Sequence, residues 1–380
     1  EPYSPDCVRM AHTPYRVMVV DDSAVIRGEI TRILESDPHV TVVASAVNGY
    51  AALATLKRLK VDVVILDIEM PVMDGLTALP KMLEMSPHLK IIMASTLTLR
   101  NAEVSLKALE LGASDYIPKP SSLRDANNAD EFKRELIEKV KVLAQQASSF
   151  HGNSASDSVS QKSVAASTGQ IVHDSPHMGS SLRAPSNALF HGLLPSAFAI
   201  GSSTGGPQAL MEVFRDLKDF DKPIFVTQHM PPKFTTVLAN HLESILGRPV
   251  HEAQEGEIVL PKGVYVAPGD FHMVVEKAGA GHRIRLNQGP KENFCRPSVD
   301  VLFASVAAAY GGQVLGVVLT GMGADGLKGG QAIVSAGGDL IAQDEASSVV
   351  WGMPGAVTGA GLVSALLPLK QIAQTMKLIS

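Results

Sequence analysis

The sequence predicts an α/β protein built from two parallel-sheet domains, and three observations carry that expectation. At 380 residues the chain exceeds what one hydrophobic core ordinarily organises. From Arg16 onward, short apolar runs alternate with amphipathic stretches, the pattern of βα units laid on a parallel sheet. Between Ser148 and Ala188 this pattern stops: twelve serines, four charged residues and no sustained period cannot bury enough apolar surface to offset the entropy of ordering. The expected division is a first domain over residues 15–147, a flexible linker over 148–194 and a second domain over 195–378.

In the first domain, strands are expected at residues 16–20, 40–46, 61–66, 90–94 and 113–117, with helices between them and a last helix over 130–147. Five such units suggest a doubly wound, flavodoxin-like five-stranded parallel sheet. In the second domain, buried strands are expected at 197–200, 224–227 and 314–320 in a doubly wound fold. Two β-prone runs around Ala278-Gly279-Ala280-Gly281 read as a hairpin inserted within 271–287.

Composition narrows the function classes. A hydrophobic fraction of 45% with 19% charged residues fits a soluble globular protein, and a net charge of -5 gives no reason to expect a nucleic-acid partner. Two cysteines, Cys7 and Cys295, do not make a disulfide framework and fit a reducing compartment. No apolar run approaches the roughly 18 residues of a membrane span, and the N-terminus lacks the order of a secretory signal. The expected location is the cytoplasm without membrane insertion. Met10 is a candidate start, and residues 1–9 receive no role.

Asp21 and Asp22 follow the first strand and Asp67 ends the third. In the flavodoxin-like order these strands are neighbours, so three carboxylates should share one pocket. Their repulsion would be relieved by a hard divalent cation such as Mg²⁺, and the geometry presents a carboxylate to a metal-bound phosphoryl group. Lys119 after the fifth strand offers a neutralising ammonium, and Ser95 after the fourth a hydroxyl. Each residue alone has an ordinary reading: Asp22 as a helix cap near Ala24, Lys119 as a solvated loop charge.

Together these residues resemble a response-regulator receiver domain, through Asp21-Asp22-Ser23, Leu66-Asp67-Ile68-Glu69-Met70-Pro71 with Asp74-Gly75, Ala94-Ser95-Thr96, and Tyr116-Ile117-Pro118-Lys119-Pro120. The resemblance implies phosphorylation of Asp67 by a histidine kinase. It also implies Mg²⁺ held by Asp21, Asp22 and Asp67, a switch hydroxyl at Ser95 or Thr96, and Tyr116 as the coupled aromatic.

Three further residues stand just past apolar runs: Ser203 in Gly201-Ser202-Ser203-Thr204-Gly205, His229 in Gln228-His229-Met230-Pro231-Pro232, and Asp325 in Gly323-Ala324-Asp325-Gly326. Parallel sheets collect such residues along one edge, and a serine, a histidine and an aspartate there are the parts of an acyl-transfer centre. Ser203 alone has a loop reading, and His229 is one of twelve histidines. The chain order Ser, His, Asp differs from the Ser, Asp, His order of α/β-hydrolases, so a different hydrolase fold is expected.

The second domain resembles the CheB-type protein-glutamate methylesterases of bacterial chemotaxis. The likeness runs through residues 199–207 and 228–232, Val266-Ala267-Pro268-Gly269, Arg296-Pro297-Ser298-Val299-Asp300 and residues 319–326. It implies a phosphorylation-activated esterase acting on methylated glutamates of chemoreceptors, with deamidation of receptor glutamines and no cofactor for hydrolysis. Thr204 and Met322 are expected beside the site, either shaping an oxyanion pocket or serving turn and packing. An interaction protein without turnover, and a small-molecule esterase or amidase, are the other classes to weigh.

Overall fold

The computed structural model describes residues 13–119, 126–152 and 194–380. The expected linker lies mostly outside the described residues, as do Cys7, Met10, residues 1–9 and Pro120.

The first domain runs β1 (Tyr15–Val20), α1 (Ala24–Leu34), β2 (Val40–Ala46), α2 (Gly49–Leu56), β3 (Val63–Asp67), α3 (Gly75–Met85), β4 (Lys90–Ser95), α4 (Leu99–Glu110), β5 (Asp115–Pro118) and α5 (Ala126–Gly152). The sheet order is β2-β1-β3-β4-β5, all parallel. Central strands such as Val63-Val64-Ile65-Leu66 are apolar on both faces because helices cover both. Ser23 caps α1, Asp74 caps α3 through the Thr77 N–H at 2.7 Å, and Thr98 caps α4. Asp22 is therefore not a helix cap, because the hydroxyl one residue later occupies that position.

The second domain runs β6 (Ala197–Ser202), α6 (Gly206–Arg215), β7 (Ile224–Gln228), α7 (Phe234–Leu246), β8 (His251–Glu252), β9 (Val264–Val266), β10 (His272–Ala278), β11 (Gly281–Asn287), α8 (Val299–Tyr310), β12 (Val314–Val318), α9 (Leu327–Ser335), β13 (Asp339–Gln343), α10 (Met353–Gly359), β14 (Ala365–Leu367) and α11 (Leu369–Leu378). Seven strands form a parallel sheet in the order β14-β13-β12-β6-β7-β9-β8. The hairpin β10-β11 stands apart as a two-stranded antiparallel ribbon. The order reverses between β6 and β12, so the loops after β12, β6 and β7 gather at the switch point. β12 ends two residues earlier than the apolar run, and Thr320 turns its hydroxyl to the Thr204 carbonyl at 2.9 Å.

The two domains pack directly. α4 lies against α6 and α7, and the Tyr116 ring stacks on Phe234 with centroids 4.6 Å apart. Gln208 donates to the Ala113 carbonyl at 3.0 Å and Lys233 to the Leu97 carbonyl at 3.1 Å.

Candidate functional sites

In the first domain the sheet brings Asp21, Asp22 and Asp67 together, with one carboxylate oxygen of each within 4.8 Å of the others. Lys119 Nζ bridges Asp21 at 2.6 Å and Asp67 at 2.7 Å. One ammonium among three carboxylates leaves net negative charge in a largely buried pocket, a donor set suited to a small hard cation. Burial raises the Asp67 carboxyl above its ordinary value and Asp21 adds to this, although Lys119 opposes both. Ser95 is buried at the end of β4 and its hydroxyl accepts from Ser105 on α4 at 3.1 Å. Thr96 is exposed and holds the Asn101 amide at 2.6 Å, so the two hydroxyls face different neighbours.

At the second domain's switch point, Ser203 follows β6, His229 follows β7 and Asp325 precedes α9. The turn carrying Ser203 is shaped by close approach: a side chain on Gly321 would put its Cβ 2.8 Å from Ser203 Cβ. Gly205 adopts a left-handed φ of 76° at the entry to α6. The Ser203 N–H donates to the Thr320 carbonyl at 3.0 Å, so donors for a developing oxyanion must come from other amides. Gln228 ties the loops together, accepting from Ser202 Oγ at 2.7 Å and donating to the Ser203 carbonyl at 2.9 Å.

His229 Nε2 meets Asp325 Oδ2 at 2.7 Å, while Nδ1 faces the Cys295 sulfur at 3.4 Å. Among the described residues, the Ser203 hydroxyl has no hydrogen bond to the imidazole. Asp325 accepts more donors than its histidine. Its Oδ2 also takes the Val299 N–H at 2.7 Å, and its Oδ1 takes Ser298 Oγ at 2.9 Å, Asn293 Nδ2 at 3.0 Å, the Asp300 N–H at 3.0 Å and the Gly326 N–H at 3.1 Å. Two of these are first-turn amides of α8, which lack partners within the helix and carry its positive end. Burial would raise the Asp325 carboxyl, yet His229 and these amides hold it far below the carboxylate range. Burial likewise opposes charge on His229, but Cys295 and Asp325 outweigh it and raise the imidazole well above its ordinary value.

Ser203 and His229 open into a cavity of about 680 Å³ whose far wall is the first domain, including Tyr116, Phe132, Glu135 and Lys139. Thr204 Oγ1 donates across this boundary to Asp115 Oδ2 at 2.8 Å, so its hydroxyl points to the first domain. Met322 lines the cavity beside Ser203. Lys139 is buried against Asp115 and Glu135, both at 2.9 Å, and donates to the Tyr116 carbonyl at 2.7 Å. At the rim, Arg134 lies 3.9 Å over the Phe294 ring and Lys291 pairs with Glu131 at 2.5 Å.

Residues 198–376 match the CheB methylesterase family and residues 17–129 the response regulator receiver domain family. The chain is 55% identical, over 94% of its length and 94% of the relative's, to protein-glutamate methylesterase/protein-glutamine glutaminase 1 of Paramagnetospirillum magneticum. Against the protein of that name from Rhodospirillum rubrum it is 54% identical over 95% of this chain and 94% of the relative. The chain belongs to the CheB methylesterase family. Among solved structures, the Thermotoga maritima CheB methylesterase catalytic domain is 40% identical, covering 50% of this chain and 100% of its own, with a TM-score of 0.48. The family's two parts, receiver and methylesterase, are both present, and among the described residues no helix is long and apolar enough to cross a membrane.

Several residues at these sites carried no chemical role in the sequence. Asp300 was visible only as the end of Arg296-Pro297-Ser298-Val299-Asp300, Cys295 only as one of two thiols, and Asn293 not at all. Asp115, which meets Thr204 at the domain boundary, and Lys139, which pairs with Asp115, also gave no signal.

Proposed function

We propose that this chain is a phosphorylation-controlled protein-glutamate methylesterase and protein-glutamine glutaminase acting on chemoreceptors in the cytoplasm. Its receiver spans residues 15–147, its linker 148–194 and its catalytic domain 195–378. The observation that carries the reading is the His229–Asp325 pair beside Ser203 at a sheet switch point, in one chain with an acidic receiver pocket.

Ser203 Oγ attacks the γ-carbonyl of a methylated glutamate while His229 takes its proton. With Nε2 on Asp325, Nδ1 is the nitrogen for this transfer. The tetrahedral adduct expels methanol, protonated by the imidazolium, and leaves a glutamyl ester on Ser203. Water, deprotonated by His229, then releases glutamate and restores the serine. A glutamine runs the same course with ammonia leaving. Asp325 orients the ring and stabilises its positive form, and Met322 lines the substrate's path.

In the receiver, Asp21, Asp22 and Asp67 would hold Mg²⁺, which supplies charge neutralisation for phosphoryl transfer from a histidine kinase to Asp67. Lys119 meets the incoming negative charge, and Ser95 and Tyr116 relay it to the β5 surface. That surface packs over the Ser203 edge in the resting chain. Tyr116 on Phe234 and Asp115 on Thr204 join the switch to the site it covers, so loosening them admits a receptor segment.

Methyl-labelled receptor mixed with the full chain, with and without a small phosphodonor, tests the reading. Released methanol that rises with phosphodonor and vanishes in Ser203→Ala supports it. Receptor binding without methanol would make the chain an interaction protein. Turnover of small esters with receptor untouched would make it a general esterase.

A further inference from the structure

We propose that Asn293 is a positioning residue of the hydrolytic site, setting the basicity of His229 by way of Asp325. The inference rests on the Ser203–His229–Asp325 reading above. Asn293 donates through Nδ2 to two carboxylates at once, Asp300 Oδ2 at 2.9 Å and Asp325 Oδ1 at 3.0 Å. Ionised carboxylates only accept, so the nitrogen rather than the oxygen of the amide must face them. Its backbone is left-handed, with φ of 51°, a conformation that asparagine tolerates better than most residues. Backbone and side chain therefore ask for the same residue.

The two carboxylates form a reciprocal arrangement. Asp325 accepts the Val299 and Asp300 amides at the start of α8, while Asp300 accepts the Gly326 and Gly329 amides at the start of α9, at 2.9 and 2.7 Å. Each helix thus lends its positive end to the acid carried by the other. Burial raises the Asp300 carboxyl, and the neighbouring Asp325 charge adds to this, against the pull of the Gly329 amide. The Asn293 amide is the side chain that touches both acids, and it withdraws charge from the oxygen of Asp325 that does not meet the imidazole.

The groups in contact with the imidazole are Asp325 and Cys295, with Asp300 one step behind. The other charged groups of the cavity wall have partners of opposite sign: Lys139 with Asp115 and Glu135, Lys119 with Asp21 and Asp67, Lys291 with Glu131, Arg296 with Asp270, and Arg134 with Glu138. Each donor removed from Asp325 leaves a more basic carboxylate, which holds the imidazolium more tightly. The acid limb of turnover should then move to higher pH.

The test compares Asn293→Gly with Asn293→Ala in the full chain, since glycine keeps the left-handed backbone and removes only the amide. Two quantities are read: the pH dependence of kcat/KM for methyl-labelled receptor, and the NMR titration of the His229 ring. The glycine variant should lose about tenfold in kcat/KM, the scale on which outer partners of an oriented histidine act. Its His229 titration should move up by about half a pH unit. Alanine should show the same shift and a further loss from backbone strain. A glycine variant whose His229 titrates at the wild-type pH overturns the proposal, whether or not its rate falls. Ser203→Ala, run beside it, separates the two ideas: turnover retained there defeats the triad reading, whereas an inactive serine variant beside an unshifted glycine variant defeats only the role of Asn293.

Discussion

Asp67 and Asp325 are the same residue type at the same kind of place, the carboxyl edge of a central parallel strand, and their surroundings drive them in opposite directions. Asp67 shares its pocket with Asp21 and Asp22, has Lys119 as its cation, and has its carboxyl raised above its ordinary value. Asp325 is more deeply buried and yet is held far below the carboxylate range, because His229, a hydroxyl, an amide and three backbone N–H groups converge on it. Donors outweigh burial at Asp325 and do not at Asp67. The consequence for chemistry is direct. Asp67 keeps oxygen to offer to a metal and a phosphoryl group, whereas every lone pair of Asp325 is committed to orientation.

Asp325→Asn should widen this contrast most. An amide cannot accept from His229 and from the α8 amides together, and methanol release should fall by roughly 10⁴-fold through the wrong histidine tautomer. A loss of less than about tenfold would mean that Asp325 does not orient the base.

Asp22→Asn works on the other acid cluster. It should weaken Mg²⁺ binding, followed by calorimetry, by at least about tenfold, because a hard cation loses one of its charged oxygens. Unchanged Mg²⁺ affinity would remove the metal from this pocket.

The boundary between the two sites gives a smaller effect. Thr204→Val removes the hydrogen bond to Asp115, and Gln208→Ala the one to Ala113, each worth about 1 kcal/mol. Each should raise the basal turnover of the unphosphorylated chain by up to about fivefold, and phosphodonor should add correspondingly less. Turnover that stays flat in both would detach domain packing from control.

The two charges also predict opposite pH responses of stability. The raised His229 contributes stability that is complete below about pH 6.5 and lost as pH rises through its folded value. The depressed Asp325 contributes stability present above about pH 3.8 and lost as pH falls through its folded value. The destabilisation caused by His229→Gln, measured by urea unfolding, should therefore be larger at pH 6 than at a pH above the raised imidazole value. Equal penalties at both would mean that the imidazole is not held in its charged form.

Much of the frame was legible because its signals are local. Runs such as Val64-Ile65-Leu66 and Ala199-Ile200 announce buried parallel strands, and an acid or serine at the end of such a run falls at the sheet edge by topology alone. Ser203, His229, Asp325 and Asp67 were picked out as candidates this way. The short strands β8, β9 and β14 offer too few residues for a period. The partners of Asp325 were hidden for a different reason: Asn293, Ser298 and the first amides of α8 reach it across more than twenty residues, and only the folded loop brings them together. Thr204 was expected beside the ester site in either an oxyanion or a turn role; it lines that cavity, and the direction of its hydroxyl, toward Asp115, was not legible.

The receiver presents α4 and Tyr116 of β5 to α6 and α7 of the esterase domain, and that surface can have one occupant at a time. A third protein that grips the α4 face turned to α6 and α7 competes with the esterase domain for it, so under the control proposed above its binding and the uncovering of Ser203 would form a single equilibrium. Such a protein would then raise turnover by mass action, to a degree set by its concentration relative to its dissociation constant, with no phosphoryl group transferred. The same linkage runs backward: a receptor segment seated at Ser203 frees the receiver face and increases its affinity for that protein by the same factor.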